Sequence, residues 1–165
     1  MIGLTSLAAA VAPWNELYSR STLVSSSVTF VHLGSLLIGG GFAVASDRMA
    51  LRVRCADTDE RRRVLRDFSS IHRPVVAGLA LMALSGIGMA LADVETFLVA
   101  PVFWLKMGLV VLLLTNGLVV TRTERALAAN PSPSNRLWVR FTAGAVASLS
   151  LWLATTLVGV ILTTA

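Results

Sequence analysis

VTFVHLGSLLIGGGFAVASDRMALRVR, from Val28 to Arg54, decides the fold. An uncharged run opens at Ser21 and ends at Ser46, with His32 as its one ionisable side chain. Asp47-Arg48 closes the run, and Arg52 and Arg54 follow. Crossing a bilayer core takes about 20 apolar residues at 1.5 Å rise each. The stretch therefore reads as a membrane-crossing helix with a histidine inside it and a basic anchor at its end.

Three more apolar runs follow, at about 74–92, 97–121 and 141–163. In lipid, each backbone amide must find its partner within its own segment, so each run is expected to be helical. None alternates with the period of two that marks a barrel strand. Only 14% of the chain is charged, against about 25% in a soluble domain. The expected architecture is an all-α integral membrane protein, one membrane domain over 1–165, folded as an antiparallel four-transmembrane-helix bundle in the lipid bilayer.

Net charge is +5, and placement decides what that means: 12 of the 14 basic residues lie in segments 48–73 and 122–140. Lys and Arg counts in short loops set orientation, and the basic side stays in the cytoplasm. Both basic loops (47–73 and 122–140) are expected inside and both termini outside, in a bacterial cytoplasmic membrane. A nucleic-acid surface would need aromatic interleaving or a known module, and neither is present. Segment 47–73 is expected to extend the first helix and then lie along the membrane surface. Its arginines would suit anionic lipid headgroups, although the topogenic signal accounts for them by itself. ANPSPSN at 129–135 reads as a turn. Cys55 reads as an incidental thiol.

Residues 1–20 lack a basic n-region and do not read as a secretory signal. Trp14 and Tyr18 are four apart and share one helix face. A short helix on the outer surface with its aromatics at headgroup level fits them; a disordered lead-in is the alternative. Small residues at Gly34, Gly39, Gly40, Gly41, Gly78, Ser85, Gly86, Gly88, Ala143, Gly144, Ala147 and Ser148 would let helices approach closely. A shift of 74 superposes His32 on Lys106, Gly34 on Gly108 and Arg48 on Arg122, pointing to two related hairpins.

An ionisable residue inside a span costs several kcal/mol and marks a functional site by default. Two qualify. His32 is expected roughly 16 Å below the outer start of its helix and Lys106 roughly 13 Å below that of the third. Ser25, Thr29, His32 and Gly39 form one inward stripe, and Lys106, Asn116 and Gly117 another. The bland readings are a histidine that bonds a neighbouring helix and a lysine that snorkels to the interface. His72 precedes Arg73-Pro74, with Pro74 expected in the first turn of the second span. It reads as an interfacial histidine or a ligand of a separate inner site, about 21 Å from His32 along the first helix.

FVHLGSLLIGGGFAV (30–44) resembles the first helix of two related bacterial membrane families. They are the haem-dependent membrane protoporphyrinogen oxidase and copper-resistance protein D. FWLKMGLVVLLLTNG (103–117) is similar to their third helix, with its lysine in an aliphatic run. The resemblance implies functional roles for His32 and Lys106. Leu36, Leu37 and Ile38 stand where those families have a tryptophan, and Ser46-Asp47-Arg48 where the oxidase has Pro-Arg.

An imidazole in a bundle of small residues is an ordinary axial-ligand setting. With the resemblance, this makes a haem-b or porphyrin-binding redox protein, a membrane oxidoreductase if it is an enzyme, the first functional expectation. His32 would ligate the metal, and Lys106 and Asn116 would contact the cofactor. The second is a cofactor-free structural subunit, assembled with its own copies or other membrane subunits. The third is copper transport, for which Met82, Met89 and Met107 form no evident soft-ligand cluster with His32.

Overall fold

A computed structural model of the protein describes residues 2–53, 57–130 and 132–164, and within them all side chains except those of 2–5, 58, 69, 70, 72, 73, 163 and 164. His72's side chain and Cys55 lie outside the described residues. The described chain is all helical: α1 Ile2–Arg20, α2 Thr22–Arg52, α3 Thr58–Ala92, α4 Val94–Val99, α5 Pro101–Ala129 and α6 Asn135–Thr164. Four segments are long and apolar enough to cross a membrane: Thr22–Arg52, Pro74–Ala92, Pro101–Ala129 and Asn135–Leu162. The protein is an all-α integral membrane bundle.

The first basic segment extends α2 through Arg52, as expected, and the described remainder of both segments is helical apart from residues 57, 130 and 132–134. Residues 58–73 do not form a separate surface helix; they continue directly into the second span. Asp57 caps α3, its Oδ1 accepting from Glu60 N at 2.8 Å, and Asp59 and Glu60 complement the helix dipole in the first turn. Pro74 therefore stands inside α3 rather than at its start, and the helix tolerates one missing amide bond there. Leu65 and Phe68 draw this half inward. They are buried with Ala50 and Val53 of the α2 end, Leu127 of α5, and Trp138 and Phe141 of α6. Phe68 and Trp138 each meet Phe141 edge-on, at 5.2 and 6.4 Å between centroids.

The third span begins at Pro101, not at 97. The residue before a proline is pushed out of the helical region, and Ala100 takes φ −77° and ψ 119°. Phe97 to Val99 belong instead to α4, which Asp93 caps by accepting from Thr96 N at 3.3 Å. The four long helices run 29 to 35 residues, or about 44–52 Å, against a hydrocarbon core of about 30 Å.

The long helices pair as two hairpins, α2 with α3 and α5 with α6, joined mainly through α2 and α6. The α2–α3 crossing is a backbone contact: a Cβ built on Gly78 would lie 2.7 Å from Gly39 Cα. A Cβ built on Gly40 would lie 3.6 Å from the Trp152 ring, which packs α6 onto α2 there. Asn116 Nδ2 donates to Gly144 O at 2.9 Å, tying α5 to α6. Gly34, Gly41, Gly108 and Gly117 face open space instead, since a methyl group added at any of them would meet nothing within 4 Å. Gly117 is thus not part of an inward stripe.

Helix α1 is ordered and docked. Trp14 Nε1 donates to Gly88 O at 2.8 Å, and Asn15 Nδ2 donates to Ala92 O, so the helix lies against the end of α3 away from the arginines. Trp14 and Tyr18 stack at a tilt, 5.9 Å apart.

Candidate functional site

His32 lies on the face of α2 that meets α3. Its Cε1 would be 3.2 Å from a Cβ at Gly86, so glycine makes the room for the ring. Nδ1 is 3.1 Å from Met82 O and 3.0 Å from Ser85 Oγ. A carbonyl oxygen can only accept, which assigns the proton to Nδ1. The Ser85 hydroxyl donates to Leu81 O at 2.7 Å, so its oxygen is free to accept from Nδ1–H as well. In the neutral imidazole, Nε2 then carries the lone pair. Fixing one ring nitrogen on a carbonyl so that the other can act as ligand or base is the usual second-sphere arrangement of a ligating histidine.

Lys106 occupies the matching place in the other hairpin. Its Nζ lies 3.4 Å from the position of a Cβ at Gly159, so the ammonium sits over bare backbone of α6. Among the described residues Nζ has no ion pair or hydrogen bond. Each ionisable side chain therefore rests on a glycine of its own hairpin partner, His32 on Gly86 and Lys106 on Gly159.

The two share a layer. His32 is eight residues from Gly40 on α2, about 12 Å toward the end opposite the arginines. Gly40 touches Trp152, and Gly159 lies seven residues further in that direction along α6, about 10 Å. Asn116 is elsewhere, ten residues from Lys106 along α5, about 15 Å toward the arginine end. Its Nδ2 donates to Gly144 O and so helps clamp α5 to α6.

Two features of the bundle interior are not evident from the sequence pattern. Met82 takes part through its main-chain carbonyl, which no side-chain pattern reveals. Asp47, read as the end of a span, is 3% exposed, and its Oδ2 has no hydrogen-bond partner among the described residues. The Ser148 hydroxyl of α6 faces its carboxyl. The available signal was register: Gly39, Ala43 and Asp47 are spaced by four and share one helix face. Comparison with protein-family models, curated proteins and solved structures finds no match to this chain.

Proposed function

We propose that this is a membrane-embedded redox protein that binds haem b or a related porphyrin, with His32 as an axial ligand. The observation that carries the reading is the Nδ1–H anchored by Met82 O and Ser85, which leaves Nε2 as a lone-pair donor in a half-buried setting. Lys106, uncompensated in the same layer, suits a propionate or a substrate carboxylate. The resemblance of segments 30–44 and 103–117 to the haem-dependent oxidase family points the same way. Bound haem would supply one-electron chemistry; the chain supplies one nitrogen ligand, one cation and a helix interface closed by glycines. The reading places the protein in a bacterial cytoplasmic membrane, with arginines inside and both termini outside.

The visible spectrum tests it. Protein expressed with ample haem should show a Soret band, and His32→Ala should lose it while remaining folded and inserted. Lys106→Ala should keep some haem but hold it more weakly. A wild-type protein without a Soret band, or His32→Ala that binds haem as wild type does, defeats the proposal.

A cofactor-free subunit is the second reading. Helix α5 favours it: 6% of its apolar window is buried within the chain, against 17% for each of the other three spans. Copper transport has less support. Among the described residues no three His, Cys, Asp or Glu side chains gather as a metal-binding group, and Met82 faces His32 through its carbonyl.

A further inference from the structure

At the arginine-rich end, a cavity of about 250 Å³ opens between the start of α3, the end of α5 and the start of α6. Arg61, Arg62, Leu65, Leu127, Asn130 and Trp138 line it, with Ser132 and Pro133 of the α5–α6 turn. Among the described residues, two guanidinium groups and no carboxylate face it. Arg61 is held in place: its Nε donates to Val53 O at 3.2 Å, and its guanidinium lies over the Trp138 ring, 5.1 Å from the centroid. Its terminal nitrogens have no ion pair among the described residues, and neither does Arg62. Trp138 is 8% exposed, and its ring forms one wall of the cavity. The floor is apolar, with Leu65 and Leu127 both buried.

We infer that this cavity is a binding site for the phosphate headgroup of an anionic phospholipid. An arginine fork presents paired donors to phosphate oxygens. Leucines and the tryptophan ring meet the glycerol and the upper acyl chain. The volume is below the roughly 300–1,000 Å³ of sites that enclose drug-sized ligands, so it takes a headgroup and leaves the tails in the bilayer. The cavity lies beside the ends of the α5 and α6 spans, at Ala129 and Asn135, on the basic side of the bundle, where such pockets meet anionic lipid. The inference stands apart from the His32–Lys106 site, on the other half of the molecule.

Native mass spectrometry of the detergent-purified protein tests it, with phosphatidylglycerol, phosphatidylcholine of the same chains, and inorganic phosphate as separate probes. Phosphatidylglycerol should be retained in preference to phosphatidylcholine. Arg62→Gln should weaken its retention about fivefold, and Arg61→Gln with Arg62→Gln about thirtyfold, at roughly a factor of five per arginine near the membrane surface. Arg136→Gln, outside the cavity, removes the same charge and should leave retention near wild type. Circular dichroism checks folding. If the double variant unfolds, Arg62→Gln decides alone, since its exposed side chain holds no partner. Equal retention of the two lipids, an Arg136→Gln loss as large as that of Arg62→Gln, or inorganic phosphate binding as tightly as the lipid would overturn it.

Discussion

Gly78→Ala should be among the most disruptive methyl additions in the bundle. The new Cβ would lie 2.7 Å from Gly39 Cα, 3.0 Å from Gly39 N and 3.3 Å from Ser35 O. All three obstacles involve the α2 backbone, so no rotamer change relieves them. Relaxed carbon contacts begin near 3.5 Å, so α2 and α3 must part by about 0.8 Å at the crossing. A gap of that size forfeits about a quarter to a half of each contact's attraction. Overpacking of this kind costs about 1–3 kcal/mol. Gly39→Ala is milder, with its closest approach 3.2 Å, and Gly41→Ala meets nothing. The expected order of stability in detergent unfolding is therefore Gly41→Ala near wild type, then Gly39→Ala, then Gly78→Ala. Met82 and Ser85 follow Gly78 on the same helix face, so the same separation should loosen the anchor on His32 Nδ1. Gly78→Ala unfolding together with Gly41→Ala would refute the backbone contact.

Three further outcomes are expected. Ser85→Ala removes one of two acceptors at Nδ1 and should weaken haem retention about tenfold, the low end for an outer-sphere partner; Met82→Leu keeps its carbonyl and should change nothing in the same haem titration. Asn116→Leu should lower bundle stability by about 0.6 kcal/mol, and no more than about 1.7, the range for interhelical polar bonds in lipid, with the haem spectrum unaltered. Trp14→Phe leaves Gly88 O without its indole donor at a cost of about 1 kcal/mol, read as faster tryptic cleavage after Arg20 as α1 undocks.

What the sequence made legible was set by hydrophobicity, glycine and charge. The four spans follow from run length, and Gly39, Gly78 and Gly144 act at helix contacts as their size implied. Helix ends were less legible, because a charged residue ends an apolar run without ending a helix. Arg122 and Arg125 continue α5, whereas the continuation of α2 through Arg48 and Arg52 was expected. Pro74 misled because a proline that can open a helix can also sit within one when the flanking turns are held by packing, here by Leu65 and Phe68. Lys106 could be paired with His32 by depth, yet what each rests on, Gly159 and Gly86, is a tertiary fact. Asn116 was legible only as a polar member of the Lys106 stripe; its bond to the Gly144 carbonyl one helix away is a tertiary fact.

The helices outrun the bilayer by roughly 14–22 Å, and the cluster around Phe141 sits at the end where they do so. The molecule therefore folds in two solvents. In lipid, apolar burial gives no net drive, and contact fit and polar bonds hold the helices. At the arginine end, Phe141, Leu127 and Val53 are hidden from water, and their burial carries the heat-capacity signature of a soluble core. Urea and cooling weaken that drive and have little hold on close packing in hydrocarbon. Both should fray the arginine end first, as a cooperative unit of its own, while the half that holds His32 and Lys106 stays assembled.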